Sequence, residues 1–190
     1  GAAAVPATAE AAVALRPAVA AQVPTLSNRV RTSEDPDALR NEIDTFLDFH
    51  VGRLFAEDPA AVSQSRQLLA DPVSDPASAA FRRLYVELLI ERLNRRIDKA
   101  ETFNQLNAAI VIEKVVRLTQ NLRFGALITR LAQDDDASVA IWAAKAAYPI
   151  FPELLGSLNA REREALVAAL AGSVQRFPDN GFERASVGAE

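Results

Sequence analysis

Apolar residues recur at helical spacing throughout this chain, and the segment from Asn121 to Tyr148 shows the pattern most clearly. Two apolar stripes are present there, the first made of Phe124, Leu127, Ile128 and Leu131 and the second of Val139, Trp142, Ala143, Ala146 and Ala147. The acidic run 133–136 separates the stripes, and Pro149 ends the second helix because proline lacks a backbone N–H. Two short amphipathic helices cannot bury their stripes alone, so the pattern predicts a stack of several such helices.

Three Asp-Pro pairs predict helix starts upstream, at Asp35-Pro36, Asp58-Pro59 and Asp75-Pro76. Aspartate is a good N-cap acceptor, and proline suits the first helical position, where no N–H is needed. We therefore expect helices from 36 to about 55, from 59 to about 70, and from 76 to about 97. Their inward-facing residues are expected to be Leu39, Ile43, Phe46, Leu47, His50, Leu54, Val62, Leu68, Leu69, Phe81, Leu84, Tyr85, Leu88, Leu89 and Leu93.

The segment after Thr102 is ambiguous because it is rich in β-branched residues between Ile110 and Val116. Such a run suits a strand, but no second strand candidate exists for it to pair with. A largely buried helix capped by Thr102 is the better interpretation. Its inward-facing residues are expected to be Phe103, Leu106, Ile110, Val115 and Leu118.

The C-terminal part contains a further helix that begins at Asn159, which forms a capping-box pattern with Glu162. Pro149 and Pro152 are expected to bracket a connector before it. The predicted buried stripe of this last helix is Leu166, Val167, Leu170, Val174 and Phe177. The turn-forming run 178–181 ends the helix, and residues 179–190 are interpreted as a tail.

The stretch from Asn121 to Tyr148 resembles a HEAT repeat. The residues that carry the likeness are Leu127, Leu131, the turn 131–136, Val139, Ala143, Ala144 and Ala147, with Ala140 where the family usually has arginine. Predicted helix starts elsewhere fall about 20 residues apart, which suits helical pairs of about 40 residues. We expect a single all-α domain over 1–190 with seven or eight helices in antiparallel pairs, either a HEAT-like α-solenoid or an irregular helical bundle. The Ala-rich segment 1–23 is expected to dock on its body.

Composition excludes several classes of protein. The chain has no cysteine, so it has no disulfide, thiolate metal site or cysteine nucleophile. No apolar run approaches the roughly 20 residues needed to span a bilayer, so we expect a soluble protein. The chain also lacks methionine. Its compartment is left open between the cytoplasm and export after removal of an upstream signal.

Catalytic and metal-binding residues are scarce. His50 is the only histidine, and its spacing from Phe46, Leu47 and Leu54 favours a residue at the edge of the core over a general base or a metal ligand. The run 134–136 lacks the alternating acidic pattern, central glycine and closing glutamate of a calcium loop. No nucleophile motif or phosphate-binding loop is present. We therefore expect no enzyme, metal or cofactor.

The most unusual feature is the charge distribution. Residues 82–130 contain ten basic and five acidic side chains, although the whole chain has a net charge of −4. The candidate residues for an anionic partner are Arg82, Arg83, Arg92, Arg95, Arg96, Lys99, Arg117, Arg123 and Arg130. Alternatively, neighbouring acidic residues and the acidic ends of the chain neutralise them.

The HEAT resemblance implies a noncatalytic scaffold that binds a protein partner on its concave face. The alternative is nucleic-acid binding through the basic middle segment 82–130, by phosphate contact rather than by reading bases. The resemblance allows this, since HEAT-like folds include members that handle DNA. Trp142 and Tyr148 either belong to the core or mark the interaction surface.

Overall fold

A computed structural model describes residues 23–176, without the side chains of Val174 and Arg176. Within this range all of the regular secondary structure is helical, which confirms the predicted all-α fold. The helices are α1 (Asn28–Arg31), α2 (Arg40–Leu54), α3 (Pro59–Ala70), α4 (Ala79–Arg96), α5 (Thr102–Thr119), α6 (Gly125–Ala132), α7 (Ala137–Ala147), α8 (Phe151–Ser157) and α9 (Ala160–Arg176). Since α1 is a single turn, eight longer helices make up the described part of the molecule.

Between residues 23 and 176, five 3₁₀ turns join or extend the α-helices: Pro36–Leu39, Asp71–Val73, Ile97–Lys99, Leu122–Phe124 and Tyr148–Ile150. The connections between α2 and α3 and between α6 and α7 are short. Because a short connection reverses the chain direction, each of these two pairs is antiparallel.

One row of helix contacts organises the packing. Helix α3 packs on α5, α5 packs on α7, and α7 packs on α9, while α2 lies against both α3 and α4. Helix α6 contacts α7 and α9. Helix α5 is buried over most of its surface because it lies between α3 and α7, which explains its β-branched sequence: the helix interpretation is confirmed.

One connected hydrophobic core runs from Val30 in α1 to Ala169 in α9. Tyr85, Phe81 and Phe124 are its largest fully buried side chains. The Tyr85 hydroxyl donates a hydrogen bond to the Leu69 carbonyl at 2.9 Å, so its polar end is satisfied inside the core. The predicted stripe of α4 is buried along its full length, from Phe81 to Leu93.

Only one of the three Asp-Pro pairs begins an α-helix as predicted. Asp58 caps α3 by accepting a hydrogen bond from the Ala60 N–H. Pro36 instead begins a 3₁₀ turn, and Asp35 makes no capping bond. The prediction at Asp75 is wrong: the carboxylate pairs with Arg82, and α4 begins only at Ala79, after a cis Asp75–Pro76 peptide.

Ser78 is the N-cap of α4 that the sequence analysis missed. Its side chain accepts from the Phe81 N–H at 3.0 Å and donates to the Ser33 carbonyl at 2.6 Å. Arg31 donates to the carbonyl oxygens of Pro72 and Ser74 in the same region. These bonds attach the chain around α1 to the start of α4, a contact between segments about 40 residues apart that no local pattern indicates.

Several predicted side-chain positions at helix ends are wrong. Phe103 and Leu118 were expected to face inward, but they are 46% and 44% exposed at the two ends of α5, where no neighbouring helix covers them. Away from the helix ends, Val167 in the middle of α9 was also expected to be buried but is 45% exposed, because the buried face of α9 contains Leu166, Ala169 and Ser173 instead. Thr102 does not cap α5, because Glu101 occupies the N-cap position and makes no side-chain bond.

The predicted connector between Pro149 and Pro152 is also wrong. The 3₁₀ turn and α8 occupy this region, and Pro152 lies in the first turn of α8, where its missing N–H costs nothing. The capping box that begins α9 is confirmed: the Asn159 side chain accepts from the Glu162 N–H, and the Glu162 carboxylate accepts from the Asn159 N–H. Predictions for segment 1–22 and for residues from Phe177 onward, including the tail, lie outside the described residues.

Candidate functional site

The structure pairs most of the predicted cationic site with acidic side chains of the chain itself. Arg92 is the clearest case, because it is buried in α4 and its guanidinium faces α2. Its Nε donates to Asp48 at 2.8 Å, and its Nη2 donates to Asp44 at 2.7 Å. Burial by itself lowers the pKa of Arg92, but the hydrogen bonds to Asp48 and Asp44 outweigh this effect and raise it. Arg92 therefore joins two helices and is not available to a partner.

Five more of the nine candidates form ion pairs on the surface. The pairs are Arg82–Asp75, Arg95–Glu91, Arg117–Glu113, Arg123–Glu87 and Arg130–Asp98. Exposed pairs of this kind contribute little stability, about 0–1 kcal/mol each. They do reduce the positive potential of the segment.

Arg83, Arg96 and Lys99 are exposed and form no ion pair among the described residues. Arg96 and Lys99 line a hollow of about 350 Å³ between the ends of α2 and α4, together with Arg95, Glu57 and Glu101. Arg92, Arg95 and Arg96 line a neighbouring hollow with Asp48. Both hollows contain carboxylates as well as cationic side chains. The cations also lie near helix C-termini, whose dipoles stabilise positive charge even when no ligand is bound. Arg82, Arg83, Arg117, Arg123 and Arg130 line neither hollow.

His50 is fully buried, with its ring against Phe46 and Phe49. Its Nε2 lies 2.9 Å from the Pro24 carbonyl oxygen and its Nδ1 3.4 Å from the Ser65 hydroxyl. Because a carbonyl only accepts, Nε2 carries the proton and Nδ1 accepts from Ser65. Burial lowers the pKa of His50 below 6.5, the Arg53 charge lowers it further, and the Pro24 hydrogen bond opposes both. A substrate in solution cannot reach this ring.

The acidic run 134–136 is used for local capping. Asp136 accepts from the N–H groups of Ser138 and Val139 at 2.8 and 3.2 Å, and Asp134 accepts from the Asp136 N–H. In residues 23–176 no cluster of three or more His, Asp or Glu side chains is arranged to bind a metal ion. Nor does any helix in that range have the length and apolar character to cross a membrane.

An apolar concave surface lies elsewhere, between the end of α7, the start of α8 and the face of α9. We call it the Tyr148 groove; it has a volume of about 580 Å³ and is lined by Ala144, Ala147, Tyr148, Pro149, Phe151, Pro152, Glu153 and Leu170. Tyr148 is 84% exposed, the most exposed large apolar side chain in the described part of the chain. Glu153 is the one charged residue in the lining.

Two local features produce this groove. Ala144 and Ala147 leave space beside α7 because their side chains are short, and Leu170 of α9 forms part of the opposite wall. The 3₁₀ turn Tyr148–Ile150 then redirects the chain, so that Tyr148 points into solvent instead of continuing the stripe of α7. Of the two aromatic residues noted in the sequence, Trp142 is half-buried against the core beside Lys145, and Tyr148 lies at the groove.

Sequence reasoning did not find the groove as a site. The available signal is the pair of aromatic-proline steps, Tyr148-Pro149 and Phe151-Pro152, which places two aromatic and two proline side chains within five residues. The sequence analysis treated these prolines only as helix breakers. Leu170 is 18 residues further along the chain than Pro152, and only the packing of α9 brings it to the same surface.

Comparison with family models, with curated proteins and with solved structures gives no match to this chain. Its function must therefore be argued from the groove and the charged surface.

Proposed function

We propose that this chain is a noncatalytic protein-interaction domain that binds an apolar peptide segment in the Tyr148 groove. The observation that carries the proposal is the 84% exposure of Tyr148 at the rim of an apolar groove with one charged lining residue. Exposed aromatic side chains beside an apolar depression are typical of binding hot spots, where burial of the ring contributes most of the affinity.

The size of the groove defines the kind of ligand. A volume of about 580 Å³ is in the range of small-ligand sites and accommodates a few side chains. A second folded domain would need about 800 Å² of surface on each partner, which this short groove does not supply by itself. A peptide segment with one or two aromatic or leucine side chains fits better.

The helical architecture supports the same function. Helices α3, α5, α7 and α9 pack in succession, as expected for stacked helical pairs similar to HEAT repeats. Such stacks present rigid surfaces on which a groove keeps its shape without a ligand. Apart from the single turn α1, the helix lengths vary from 7 residues in α8 to 18 in α4 and α5, so the proposal depends on the groove and not on a regular repeat.

Peptide display on the immobilised full chain tests the proposal. We expect enrichment of sequences with an aromatic or leucine residue, and binding that is lost in Tyr148→Ser. Phe103→Ser is the matched control, because Phe103 is another exposed aromatic residue that lies outside the groove. Enrichment that is equal for the wild type and Tyr148→Ser would contradict the proposal.

Nucleic-acid binding through the basic segment is the competing proposal, and Arg83, Arg96 and Lys99 are the exposed residues that favour it. It requires an oligonucleotide affinity that falls steeply with salt, because phosphate contacts release counterions. A fluorescent oligonucleotide titrated at two salt concentrations measures this. Salt-dependent binding that is abolished in Arg96→Glu/Lys99→Glu and retained in Tyr148→Ser would replace the groove proposal with this one.

A further inference from the structure

The backbone of the Tyr148 groove restricts how a peptide can bind there. Pro149 and Pro152 have no N–H, and the N–H groups of Tyr148 and Phe151 already donate to carbonyl oxygens three or four residues earlier. The other lining N–H groups lie inside α7 and α9, apart from that of Glu153 in the first turn of α8. An extended peptide that adds as a strand needs a row of donors and acceptors on its partner, which this lining does not offer.

The side chains of the lining favour a proline-rich ligand. Tyr148 and Phe151 are three residues apart across a 3₁₀ turn, and side chains at that spacing lie on the same side of such a turn. Both line the groove together with two prolines. Aromatic grooves bind segments in the polyproline II conformation, because this conformation is preformed and makes no backbone hydrogen bonds that the groove would have to replace. A leucine between the prolines supplies the apolar anchor.

Glu153 adds a charge to this apolar surface. Its side chain is exposed and forms no ion pair with a described residue, and α8 contains no other charged residue. Lys145, the one cation of α7, lies with its Nζ 4.3 Å from the centroid of the Trp142 ring and is not part of the groove lining. A ligand that covers the groove removes water from the Glu153 carboxylate, and a cationic side chain of the ligand compensates for that loss.

We propose that the ligand of the Tyr148 groove is a proline-rich segment in the polyproline II conformation, with a leucine and its prolines against Tyr148 and Phe151 and a lysine or arginine beside Glu153. The inference rests on the proposed peptide-binding function and names the class of peptide. Glu153 determines specificity, because it attracts basic segments and repels acidic ones.

Amide NMR titrations of the full chain with synthetic peptides test the charge requirement. The basic probe is Pro-Pro-Leu-Pro-Pro-Arg, and in the acidic probe glutamate replaces the arginine. We expect the wild type to bind the basic probe about two- to fivefold more tightly, which is the size of an exposed charge pair, with shift changes at Ala144, Ala147, Tyr148 and Leu170.

Glu153→Lys is expected to reverse this preference and to bind the acidic probe more tightly. A reversal cannot come from misfolding, because a disrupted groove would bind neither probe. Glu164→Lys is the matched control, since Glu164 is an exposed carboxylate of α9 outside the groove lining. This control should keep the wild-type preference. Equal affinity of the wild type for the two probes, or a preference that Glu153→Lys leaves unchanged, overturns the inference.

A third probe tests the conformation of the ligand. Alanine replaces every proline of the basic probe, so the leucine and the arginine stay but the polyproline II conformation is no longer preformed. We expect binding to weaken about tenfold, because the more flexible peptide loses more conformational entropy in the complex. Equal or tighter binding of the alanine probe would mean that the groove takes another conformation, such as a helix, and that the inference is wrong.

These outcomes are distinct from those for the proposed function. If displayed peptides bind at Tyr148 but contain neither prolines nor basic residues, the groove is a peptide site and the proline-rich ligand is wrong. If no peptide binding depends on Tyr148, the proposed function and this inference are both wrong.

Discussion

At the scale of single residues, two buried polar side chains bear on the stability of the N-terminal half. Arg92 joins α4 to α2 through Asp44 and Asp48, and His50 joins α2 to Ser65 of α3 and to the Pro24 carbonyl. A buried polar group stabilises the fold only while its partners are present, because an unpaired one loses its hydration without compensation. Both residues therefore yield predictions about stability and not about binding.

Replacing Arg92 with methionine is expected to destabilise the protein by about 1–3 kcal/mol. Methionine keeps the apolar stem but leaves Asp44 and Asp48 without their shared partner. The loss of stability is expected to be smaller than the loss on breaking a fully buried ion pair, because the Asp48 side chain is 67% exposed and can be hydrated by water in the variant. Urea unfolding measures the change in the free energy of unfolding of Arg92→Met, with Arg96→Met as the exposed control. The exposed control should change stability by no more than about 0.5 kcal/mol, and equal losses in both variants would contradict the buried role.

Stability is expected to fall as the pH decreases below about 6.5, because the folded state lowers the pKa of His50. In that range the unfolded chain binds a proton at His50 that the folded chain does not, so acid favours unfolding. The stability that neutral His50 contributes is fully present above pH 6.5, and it is lost as the pH falls through the lowered pKa of the folded state. Thermal melts between about pH 7.5 and 5.5 on the wild type and His50→Gln measure it. If the melting temperatures of both proteins changed equally with pH, the pH dependence would not come from His50.

At the scale of elements, the close approach of α6 and α8 is set by a glycine. A Cβ built on Gly125 would lie 2.7 Å from Leu154 Cδ1, far inside van der Waals contact. Leu154 is buried, so its methyl group cannot move without displacing its neighbours. Gly52, in the last turn of α2, has no atom within 4 Å of an added Cβ.

The two glycines are therefore expected to respond in opposite directions to alanine. Gly52→Ala should stabilise the protein by about 0.5–1 kcal/mol, because alanine is the better helix former. Gly125→Ala should destabilise it by about 1–3 kcal/mol, because overcrowding at Leu154 exceeds the gain in helix propensity. Chemical denaturation of both variants measures the difference. A stabilised Gly125→Ala would show that α8 moves freely relative to α6.

At the scale of the whole molecule, one connected core links the described helices from α1 to α9. Helix α5 is central to it, since it contacts α3 on one side and α7 on the other. A long array with weakly coupled units unfolds in stages, whereas a short stack with one core unfolds as a unit.

We therefore expect a single cooperative unfolding transition. Trp142 in α7 is the only tryptophan, so its fluorescence reports on the C-terminal half, while far-UV circular dichroism reports on all the helices. The two urea transitions should coincide in midpoint and steepness. Fluorescence and circular dichroism midpoints that differ would show that the halves on either side of α5 unfold separately.

The sequence alone determined the helical class, because period-3.6 stripes and capping signals such as those at Asp58 and Asn159 are local. It also determined most of the core of α4 and α5. Tertiary packing decided the rest. Ser78 caps α4 while it contacts Ser33, and Arg92 forms an ion pair with α2. Phe103 and Leu118 remain exposed at the ends of α5. The Tyr148 groove belongs to this second group, because Leu170 reaches it only through the packing of α9. Helix formation depends on residues three or four apart, whereas charge pairing and grooves depend on which distant helices become neighbours.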